Sequence, residues 1–424
     1  MSYIWLIVFS FLLIIIGVPM LWDRKLPYAL VFVAAFVFLP LLSTFGLGGL
    51  FVPSDITYIC VIISLFSFLF FYSVGKQSST SSIPLEREEN VSYNRIIIAN
   101  LFAMAAIIYM LPTIMAFYAV HTMADARYDD ATLEFFGNAK MATLYGLIVS
   151  PSIVVSFLCI LDDLLHGSKV HFVALFLTIL NMALNSVIFG GRSLLVQCGF
   201  YCLFYFLFFR KNIELPKRKK KKVLKIVGIS LIAIIAVFVF ITNARRSEDD
   251  ADTSFYTYFL MYYVGPFVLF DHYANTGLLS LPGDMYWGTC LFGPIYNFIM
   301  MGVSVLVPSI DYQGSDYLIS QVTQNNRIDI GYDLGINAAV TAMYPFIKDF
   351  WLFGLVVGFG FWGFVTGKLE KLRNHDSKRL RIITLLFLYV VFKLQMRYEL
   401  GSTLLIMLVL VFLFIKKRKG KYVK

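Results

Sequence analysis

Long apolar runs recur along the whole chain, and they constrain its fold more than any other feature. Each run is comparable to the roughly 20 mainly apolar residues that a helix needs to cross a bilayer. The runs lie at about residues 2–22, 26–45, 56–74, 96–119, 141–161, 170–190, 194–209, 226–242, 350–367, 380–397 and 400–415. The first run has no basic residues before it and no small-residue cleavage site after it, so we interpret it as a retained helix. The sequence therefore predicts an all-α fold, a polytopic transmembrane helix bundle of about 11 spans.

The stretch 253–310 is apolar but is repeatedly interrupted by glycine and proline. Gly265, Pro266, Pro282, Gly283 and Pro294 break its two hydrophobic runs. Non-helical backbone at membrane depth survives only where it is buried in protein or lines a wet cavity. We therefore expect broken or surface-lying helices that roof a cavity. If both runs instead cross the membrane, the bundle has about 13 spans.

Basic residues set the predicted orientation of the bundle, because short cytoplasmic loops collect Lys and Arg. The segments 23–25, 75–95, 162–169, 210–225, 368–381 and the tail after 415 hold 27 of the 36 Lys and Arg residues. Eleven spans then place the N-terminus outside and the C-terminus inside. The net charge of +10 is mostly a topology signal, and the run RKNIELPKRKKKKVLK is an anchor that faces anionic membrane lipid rather than nucleic acid.

These assignments divide the chain into N-terminal membrane helices (1–242), a large extracytoplasmic loop with interfacial or re-entrant helices (243–349), and C-terminal membrane helices with a basic cytoplasmic tail (350–424). Functional residues concentrate in long connections. The loop segment SDYLISQVTQNNRIDIGYDLGINAAVTAMYPFIKD is dense in Asn, Gln, Asp and Tyr, which suit a sugar. An ordinary polar loop has a similar composition, so this alternative stays open.

The predicted outer face is rich in arginine rather than lysine. Inside there are 18 Lys and 9 Arg, whereas outside there are 3 Lys and 6 Arg, namely Arg127, Arg192, Arg245, Arg246, Arg327 and Arg397. A planar guanidinium grips phosphate oxygens with two parallel hydrogen bonds, so this bias favours phosphate binding. Alternatively, Arg192 snorkels to the interface, Arg245 and Arg246 anchor a helix end before acidic residues, and Arg127 forms a surface pair with neighbouring aspartates.

Two short motifs resemble a known family. The first is GGRS at the outer end of a span, at Gly190, Gly191, Arg192 and Ser193; the second maps onto Gly335, Asn337, Ala339, Tyr344, Pro345, Asp349, Phe350 and Gly354. Together with the many helices, the later arginine pair and the large outer loop, they resemble the oligosaccharide repeat-unit polymerases of bacterial O-antigen and capsule. The resemblance implies a GT-C-like membrane glycosyltransferase in the bacterial plasma (inner) membrane. Such an enzyme moves a growing glycan from undecaprenyl diphosphate onto a fresh lipid-linked repeat unit at the outer face.

The same resemblance, with the outer arginines, gives the expected partners and site. The partners are an undecaprenyl-diphosphate-linked oligosaccharide, membrane lipid and a chain-length regulator protein, with no nucleic acid. The diphosphate-binding candidates are Arg192, Arg245, Arg246, Arg327 and Arg397. The sugar-binding candidates are Asn326, Asp329, Asn337 and Tyr344, and the catalytic candidates are Arg192, Arg327 and Asp333. Arginines would stabilise the charge that develops on the leaving diphosphate.

We expect neither a metal ion nor another cofactor, because the sequence has five His, no HExxH motif and no close His pair. The catalytic base stays open among many outer acids, and His272 beside Asp271 is a further candidate. The outer acids are Asp271, Asp284, Asp311, Asp316, Asp329, Asp333, Asp349 and Glu399. The stretch GFGFWG at 358–363 matches GxGxxG, but it lies in an apolar helix without a preceding strand, so it predicts close helix packing rather than nucleotide binding.

Two other functions remain open from sequence alone. A ligase that passes a finished glycan to a different acceptor would share the fold, topology and arginines. A flippase or transporter of lipid-linked sugar would place charges at midplane depth. Most charges here lie at helix ends, and Lys393, four residues before Arg397 on the same helical face, is the exception. The five cysteines lie mostly in apolar runs and are expected to be small core residues.

Overall fold

The computed structural model is mostly helical, as the sequence predicts. It describes residues 2–78 except 24, 89–120, 145–209 except 167 and 189–192, 255–280, 285–307 with gaps, 328–331, 335–336, 340–397 except 374 and 376, and 403–417. Within that part the helices are α1 (Tyr3–Trp22), α2 (Ala29–Ser43), α3 (Asp55–Gln77), α4 (Tyr93–Val120), α5 (Ser150–Leu165), α6 (Phe172–Ile188), α7 (Ser193–Phe209), α8 (Phe255–Tyr263), α9 (Gly265–Tyr273), α10 (Met343–Phe350), α11 (Phe353–Leu372), α12 (Lys378–Lys393) and α13 (Thr403–Phe414).

Three of the described helices, α1, α3 and α4, are long and apolar enough to cross a membrane. Helices α2, α6, α7 and α13 are apolar but shorter. Every predicted run in the described part of the chain contains a helix, and the run 226–242 lies outside the described residues. The structure is therefore compatible with a membrane protein, while the number of spans stays a prediction.

The segment after residue 253 is broken into short helices, as its glycine and proline content predicts. Helices α8 and α9 have nine residues each and meet at Val264, with Pro266 in the first turn of α9 where its missing N–H costs no hydrogen bond. A wider helical turn, Ala274–Leu278, follows α9 and contains non-helical backbone at Thr276 and Gly277. The cavity predicted beneath this segment is not tested by these elements.

Four short strands were not predicted. Strand β1 (Glu89–Val91) pairs antiparallel with β4 (Ile415–Lys417), and β2 (Ile328–Asp329) pairs antiparallel with β3 (Gly335–Ile336). Strands β1, β2 and β3 lie in segments that the sequence assigns to connections between spans, and β4 lies where the last predicted run ends and the tail begins. These segments have no apolar period, so their pairing depends on partners elsewhere in the chain.

The chain forms two compact units, each made of separate stretches of sequence. Unit 1 comprises Met1–Ile83, Thr253–Asn374 and Phe387–Ser402; unit 2 comprises Pro84–Asp252, His375–Leu386 and Thr403–Lys424. Helix α12 contributes its first half to unit 2 and its second half to unit 1.

Glycine allows two helices of unit 1 to pack at very short range. A Cβ atom on Gly363 of α11 would lie 2.2 Å from the carbonyl oxygen of Phe68, and one on Gly367 would lie 2.1 Å from that of Tyr72. Helix α3 also has a glycine at this contact, Gly75. A Cβ on Gly75 would lie 2.3 Å from the α11 backbone. Close helix packing, predicted for the GFGFWG stretch, is confirmed, because any side chain at these positions would push the backbones apart.

Polar side chains link the helices of unit 2 instead. The side chain of Asn181 on α6 donates to the carbonyl oxygen of Asn100 at 2.8 Å and to its side-chain oxygen at 3.0 Å. Asn100 on α4 in turn donates to the Ser156 hydroxyl on α5 at 3.0 Å. All three side chains are buried. Interhelical hydrogen bonds of this kind hold helices together in an apolar environment.

A buried ionic group, which we name the Asp162 cluster, lies at the end of α5 and comprises Asp162, His166, Tyr205 and Arg381. Arg381 donates to both carboxylate oxygens of Asp162, at 2.8 and 2.9 Å, and the Tyr205 hydroxyl donates to one of them at 2.7 Å. His166 Nδ1 lies 3.0 Å from the Tyr205 hydroxyl. Asp162 is just beyond the predicted run 141–161. Burial alone would raise the pKa of Asp162, but Arg381 outweighs it and lowers the pKa below 3.8.

The segments that connect the helices contact each other. The segments in contact are ones that the charge pattern assigns to the same side of the membrane. On the predicted cytoplasmic side of unit 1, Arg373 donates to the Leu26 carbonyl oxygen at 2.7 Å. In unit 2, the Arg379 backbone N–H donates to the Glu89 carboxylate at 3.0 Å, next to the β1–β4 pair. Parts of three segments predicted to be cytoplasmic, 75–95, 368–381 and the tail after 415, therefore meet in unit 2.

Segments of the predicted outer face also meet each other in unit 1. The Trp5 indole N–H donates to the Asp55 carboxylate at 2.7 Å, which joins the start of α1 to the start of α3. The Phe51 backbone N–H donates to the Ile330 carbonyl oxygen at 2.9 Å. The connection between α2 and α3 thus contacts the large loop, as two segments on the same side of a membrane would.

Candidate functional site

The second motif of the sequence is built around helix α10, almost all of which is buried. A Cβ on Gly354 would lie 1.7 Å from the Phe346 carbonyl oxygen, so the start of α11 can pack on α10 only with glycine at this position. The Phe346 ring occupies the space beside Gly358, where a Cβ would approach it at 2.3 Å. Two glycines therefore fix how the motif segment lies on α11.

Asp349, the carboxylate of that motif, binds backbone rather than solvent. It is fully buried, and its two oxygens accept hydrogen bonds from the N–H groups of Cys290 at 3.0 Å and Leu291 at 2.6 Å. Burial raises the pKa of Asp349, and the backbone N–H groups partly oppose that rise. The arrangement makes Asp349 a positioning residue that holds the 286–293 turns against α10.

Tyr344, a predicted sugar-binding residue, lies on α10 with 2% of its surface exposed. Its ring centroid is 5.1 Å from that of Tyr273. Burial raises the pKa of Tyr344, so its hydroxyl stays protonated and is available as a hydrogen-bond donor. The Tyr273 ring therefore packs against the motif segment through Tyr344.

The motif segment contacts the end of α12, near Lys393 and Arg397. The Ala342 N–H donates to the Leu394 carbonyl oxygen at 2.7 Å. Helix α12 ends at Lys393, but the Arg397 N–H still donates to the Lys393 carbonyl oxygen at 2.9 Å, so the two residues share one helical turn as predicted. Both side chains are half-buried, and the Lys393 ammonium lies 6.0 Å from the Tyr389 ring centroid.

Two neutral polar residues lie at this junction. Gln395 and Thr341 are both fully buried. The amide nitrogen and the amide oxygen of Gln395 have no hydrogen-bond partner among the described residues. The Thr341 hydroxyl has none there either. Gln395 lies between Lys393 and Arg397 in sequence. Neither residue was singled out from the sequence, although a glutamine within the apolar run 380–397 is the kind of residue that marks a site in a membrane helix.

Asp271, one of the candidate bases, is fully engaged at the start of α3. One of its oxygens accepts hydrogen bonds from the Ser54 N–H at 2.8 Å, the Ser54 hydroxyl at 2.5 Å and the Thr57 hydroxyl at 2.7 Å. The other accepts from Asn275 at 3.1 Å. A carboxylate in this place satisfies free N–H groups and complements the helix dipole. His272, the neighbouring candidate, is exposed.

Asp329, a predicted sugar-binding residue, shapes the turn after β2. Its carboxylate accepts a hydrogen bond from the Gly331 N–H at 2.8 Å. Gly331 has a φ of +120°, and a Cβ there would lie 2.2 Å from the Gly49 carbonyl oxygen. Only glycine meets both demands, so the loop approaches the 47–51 connection through backbone alone. The Asp329 side chain itself is exposed.

Three predicted site residues lie in the described part of the chain: Asp329, Tyr344 and Arg397. Tyr344 and Arg397 lie in segments joined by the Ala342–Leu394 hydrogen bond. The remaining predicted site residues lie outside the described residues: Arg192, Arg245, Arg246, Asn326, Arg327, Asp333 and Asn337.

Comparison with known proteins returned no match among protein-family models, curated proteins or solved structures.

Proposed function

We propose that the chain is a membrane glycosyltransferase that joins undecaprenyl-diphosphate-linked oligosaccharide repeat units on the outer face of the plasma membrane. The observation that supports this most is the hydrogen bond from Ala342 to Leu394, 2.7 Å long. It joins the motif segment, which carries Tyr344, to the turn that carries Arg397. The buried Tyr344 ring, which packs against Tyr273, thus lies in the segment that adjoins a cation for a phosphate.

The chemistry of the proposed donor explains why arginine belongs here. When the bond between the sugar and the diphosphate breaks, negative charge develops on the leaving diphosphate, and preorganised guanidinium groups stabilise it. Arg397 would bind one phosphate through its planar fork. Arg192, Arg245, Arg246 and Arg327 remain the other diphosphate-binding candidates of the sequence.

The membrane location is supported by the three long apolar helices. The outer location of the site is supported by the charge pattern together with the contacts that join Trp5 to Asp55 and Phe51 to Ile330. Reporter fusions test this placement. Fusions after Lys222 and after Arg379 should give a cytoplasmic signal, and a fusion near Gln324 an external one. A cytoplasmic signal at Gln324 would place the site in the wrong compartment and refute the proposal.

Deletion of the gene, followed by gel analysis of surface polysaccharide, tests the activity. We expect the long-chain ladder to disappear while a single repeat unit stays attached to its acceptor. Loss of all attached glycan would instead indicate a ligase or a flippase. An unchanged ladder would refute all three functions.

Substitution of arginines then tests the site. Arg397→Ala and Arg192→Ala should lower the yield of long chains by about 100- to 1000-fold, because each removes one preorganised donor to a developing anion. The Lys variants should restore it only in part, since lysine keeps the charge and loses the fork. Polymer is compared in the deletion strain at matched membrane levels. Arg127→Ala is the control and should leave chain length unchanged; normal chains in both Arg397→Ala and Arg192→Ala would contradict the diphosphate role.

A further inference from the structure

Gln395 and Thr341 are buried polar residues of unit 1 whose side chains have no hydrogen-bond partner among the residues that the structure describes. Both are fully buried, and the hydrogen bond between Ala342 and Leu394 connects their immediate neighbours in sequence. Leaving a buried donor or acceptor unpaired lowers the stability of the folded protein. An apolar side chain of the same shape would avoid that cost. The residues therefore lower stability in this state, which is typical of groups reserved for a ligand.

The chemistry of the two side chains selects the kind of ligand. The Gln395 amide has an unpaired donor and an unpaired acceptor, and the Thr341 hydroxyl can act as either. A phosphate oxygen only accepts hydrogen bonds, so it would satisfy the amide nitrogen and leave the amide oxygen unpaired. A sugar hydroxyl both donates and accepts, and it satisfies both ends. A ligand with several hydroxyl groups therefore fits the side chains of Gln395 and Thr341 better than an anion does.

The position of the pair relates the sugar to the diphosphate. Gln395 lies two residues after Lys393 and two before Arg397, within the turn that ends α12. We propose that Gln395 and Thr341 bind hydroxyl groups of the sugar nearest the diphosphate, while Arg397 binds the diphosphate itself. This assignment rests on the proposed function. Both side chains are fully buried, so a sugar can bind them only when the segment around them opens.

A stability measurement combined with an activity measurement tests this assignment. Gln395→Met keeps the length of the side chain and removes both hydrogen-bonding groups, and Thr341→Val does the same for the hydroxyl. Each variant is purified in an amine-oxide detergent, which carries no sugar, and its unfolding temperature is measured. Each is also expressed in the deletion strain at matched membrane levels. We expect both to unfold at the same temperature as the native protein or higher, and to lose long-chain polymer by about tenfold or more.

Gln197→Met is the matched control, because Gln197 already has a structural partner. Its amide donates to the Tyr201 hydroxyl at 2.8 Å within α7. The same substitution there should lower the unfolding temperature and leave polymer length unchanged. The two glutamines should thus show opposite patterns.

Two results would overturn the assignment. A lower unfolding temperature of Gln395→Met would show that the amide forms a structural bond. Normal polymer in Gln395→Met and Thr341→Val, with long chains lost in Arg397→Ala, would refute sugar binding by this pair and leave the polymerase function standing. If gene deletion itself leaves the ladder intact, the proposed polymerase function is wrong. The deletion experiment therefore distinguishes failure of that function from failure of the sugar-binding assignment.

Discussion

The two units of the chain hold their helices together by different means. In unit 1, α3 and α11 approach so closely that Gly363 and Gly367 have no room for a Cβ. In unit 2, the helices are linked by polar side chains, and glycines such as Gly146 and Gly199 have no neighbour within 4 Å of an added Cβ. Backbone contact joins α3 to α11 in unit 1, where side chains also link helices, as Thr57 of α3 does with Asp271 of α9.

Both units contain buried polar side chains, some of which are paired within the described part of the chain and some of which are not. In unit 2, Asp162 and Arg381 satisfy each other, and Asn100 and Asn181 bond across helices. Among the described residues, Gln395 and Thr341 of unit 1 have polar atoms without a hydrogen-bond partner, and so do Asn181, His166 and Ser186 of unit 2. What distinguishes Gln395 and Thr341 is their position, where the motif segment meets the turn that carries Arg397.

The largest loss of stability that tests this comparison is expected at the Asp162 cluster. Arg381→Met leaves the Asp162 carboxylate buried without its cation, and removal of one partner from a buried pair costs about 3–5 kcal/mol. We expect a large fall in unfolding temperature and in membrane yield. Thermal unfolding of the purified protein measures the effect.

Two matched variants sharpen this test. Lys76→Met also removes one positive charge, but Lys76 is exposed, and its effect should stay within about 0.5 kcal/mol. The double variant Arg381→Met with Asp162→Leu removes both charges and should recover most of the loss. If Arg381→Met is as stable as Lys76→Met, the cluster does not support unit 2.

A single methyl group should distinguish the two units at their glycines. Gly363→Ala places a Cβ 2.2 Å from the Phe68 carbonyl oxygen, so the helices must separate, at a cost of about 1–3 kcal/mol. Gly199→Ala adds the same methyl in open space within α7 and should be neutral or stabilising by up to about 1 kcal/mol. Unfolding temperatures compare the two. Equal effects would show that α3 and α11 do not depend on backbone contact.

The polar link in unit 2 should be worth less than the ion pair. Asn181→Leu removes both hydrogen bonds to Asn100, and such interhelical bonds contribute about 0.6 kcal/mol on average and up to about 1.7 kcal/mol. Ser73→Ala is the control, since the exposed Ser73 hydroxyl bonds only to a carbonyl of its own helix. Equal stability of the two variants would show that the hydrogen bonds between Asn181 and Asn100 do not stabilise unit 2.

Sequence predicted the helices well because an apolar run in a bilayer has to satisfy its backbone internally. It placed their ends less well. The predicted run 350–367 corresponds to Phe353–Leu372, since the helix continues through Lys368 and Lys371 after the apolar run has ended. The strands β1 and β4 could not be predicted, because each has only three residues and its partner lies more than 300 residues away in the chain.

Residue type and motif identified several candidate residues, but not what their side chains bind. Asp349 and Asp271 were candidates for a base, yet the first binds backbone 58 and 59 residues away and the second caps a helix 214 and 217 residues away. Those partners depend on the tertiary fold. The Asp162 cluster was likewise missed, because Arg381 looked like one of many topology anchors and lies 219 residues from Asp162.

The smallest expected effect is a difference in pH dependence between the units, since their buried carboxylates shift in opposite directions. Arg381 lowers the pKa of Asp162, so the stability from that group is present above the ordinary pKa and is lost as pH falls through the lowered value. Burial raises the pKa of Asp349, so its contribution is full below the ordinary pKa and is lost as pH rises through the raised value. Acidification from about pH 7 to about pH 3 should therefore weaken unit 2 relative to unit 1. Hydrogen exchange, read separately for peptides of α5 and α10 over that range, measures the difference. Asp162→Asn should abolish the acid-dependent loss in α5, and Asp349→Asn should flatten the profile of α10. Parallel profiles for the two helices in the native protein would show that these carboxylates do not control the local stability of their units.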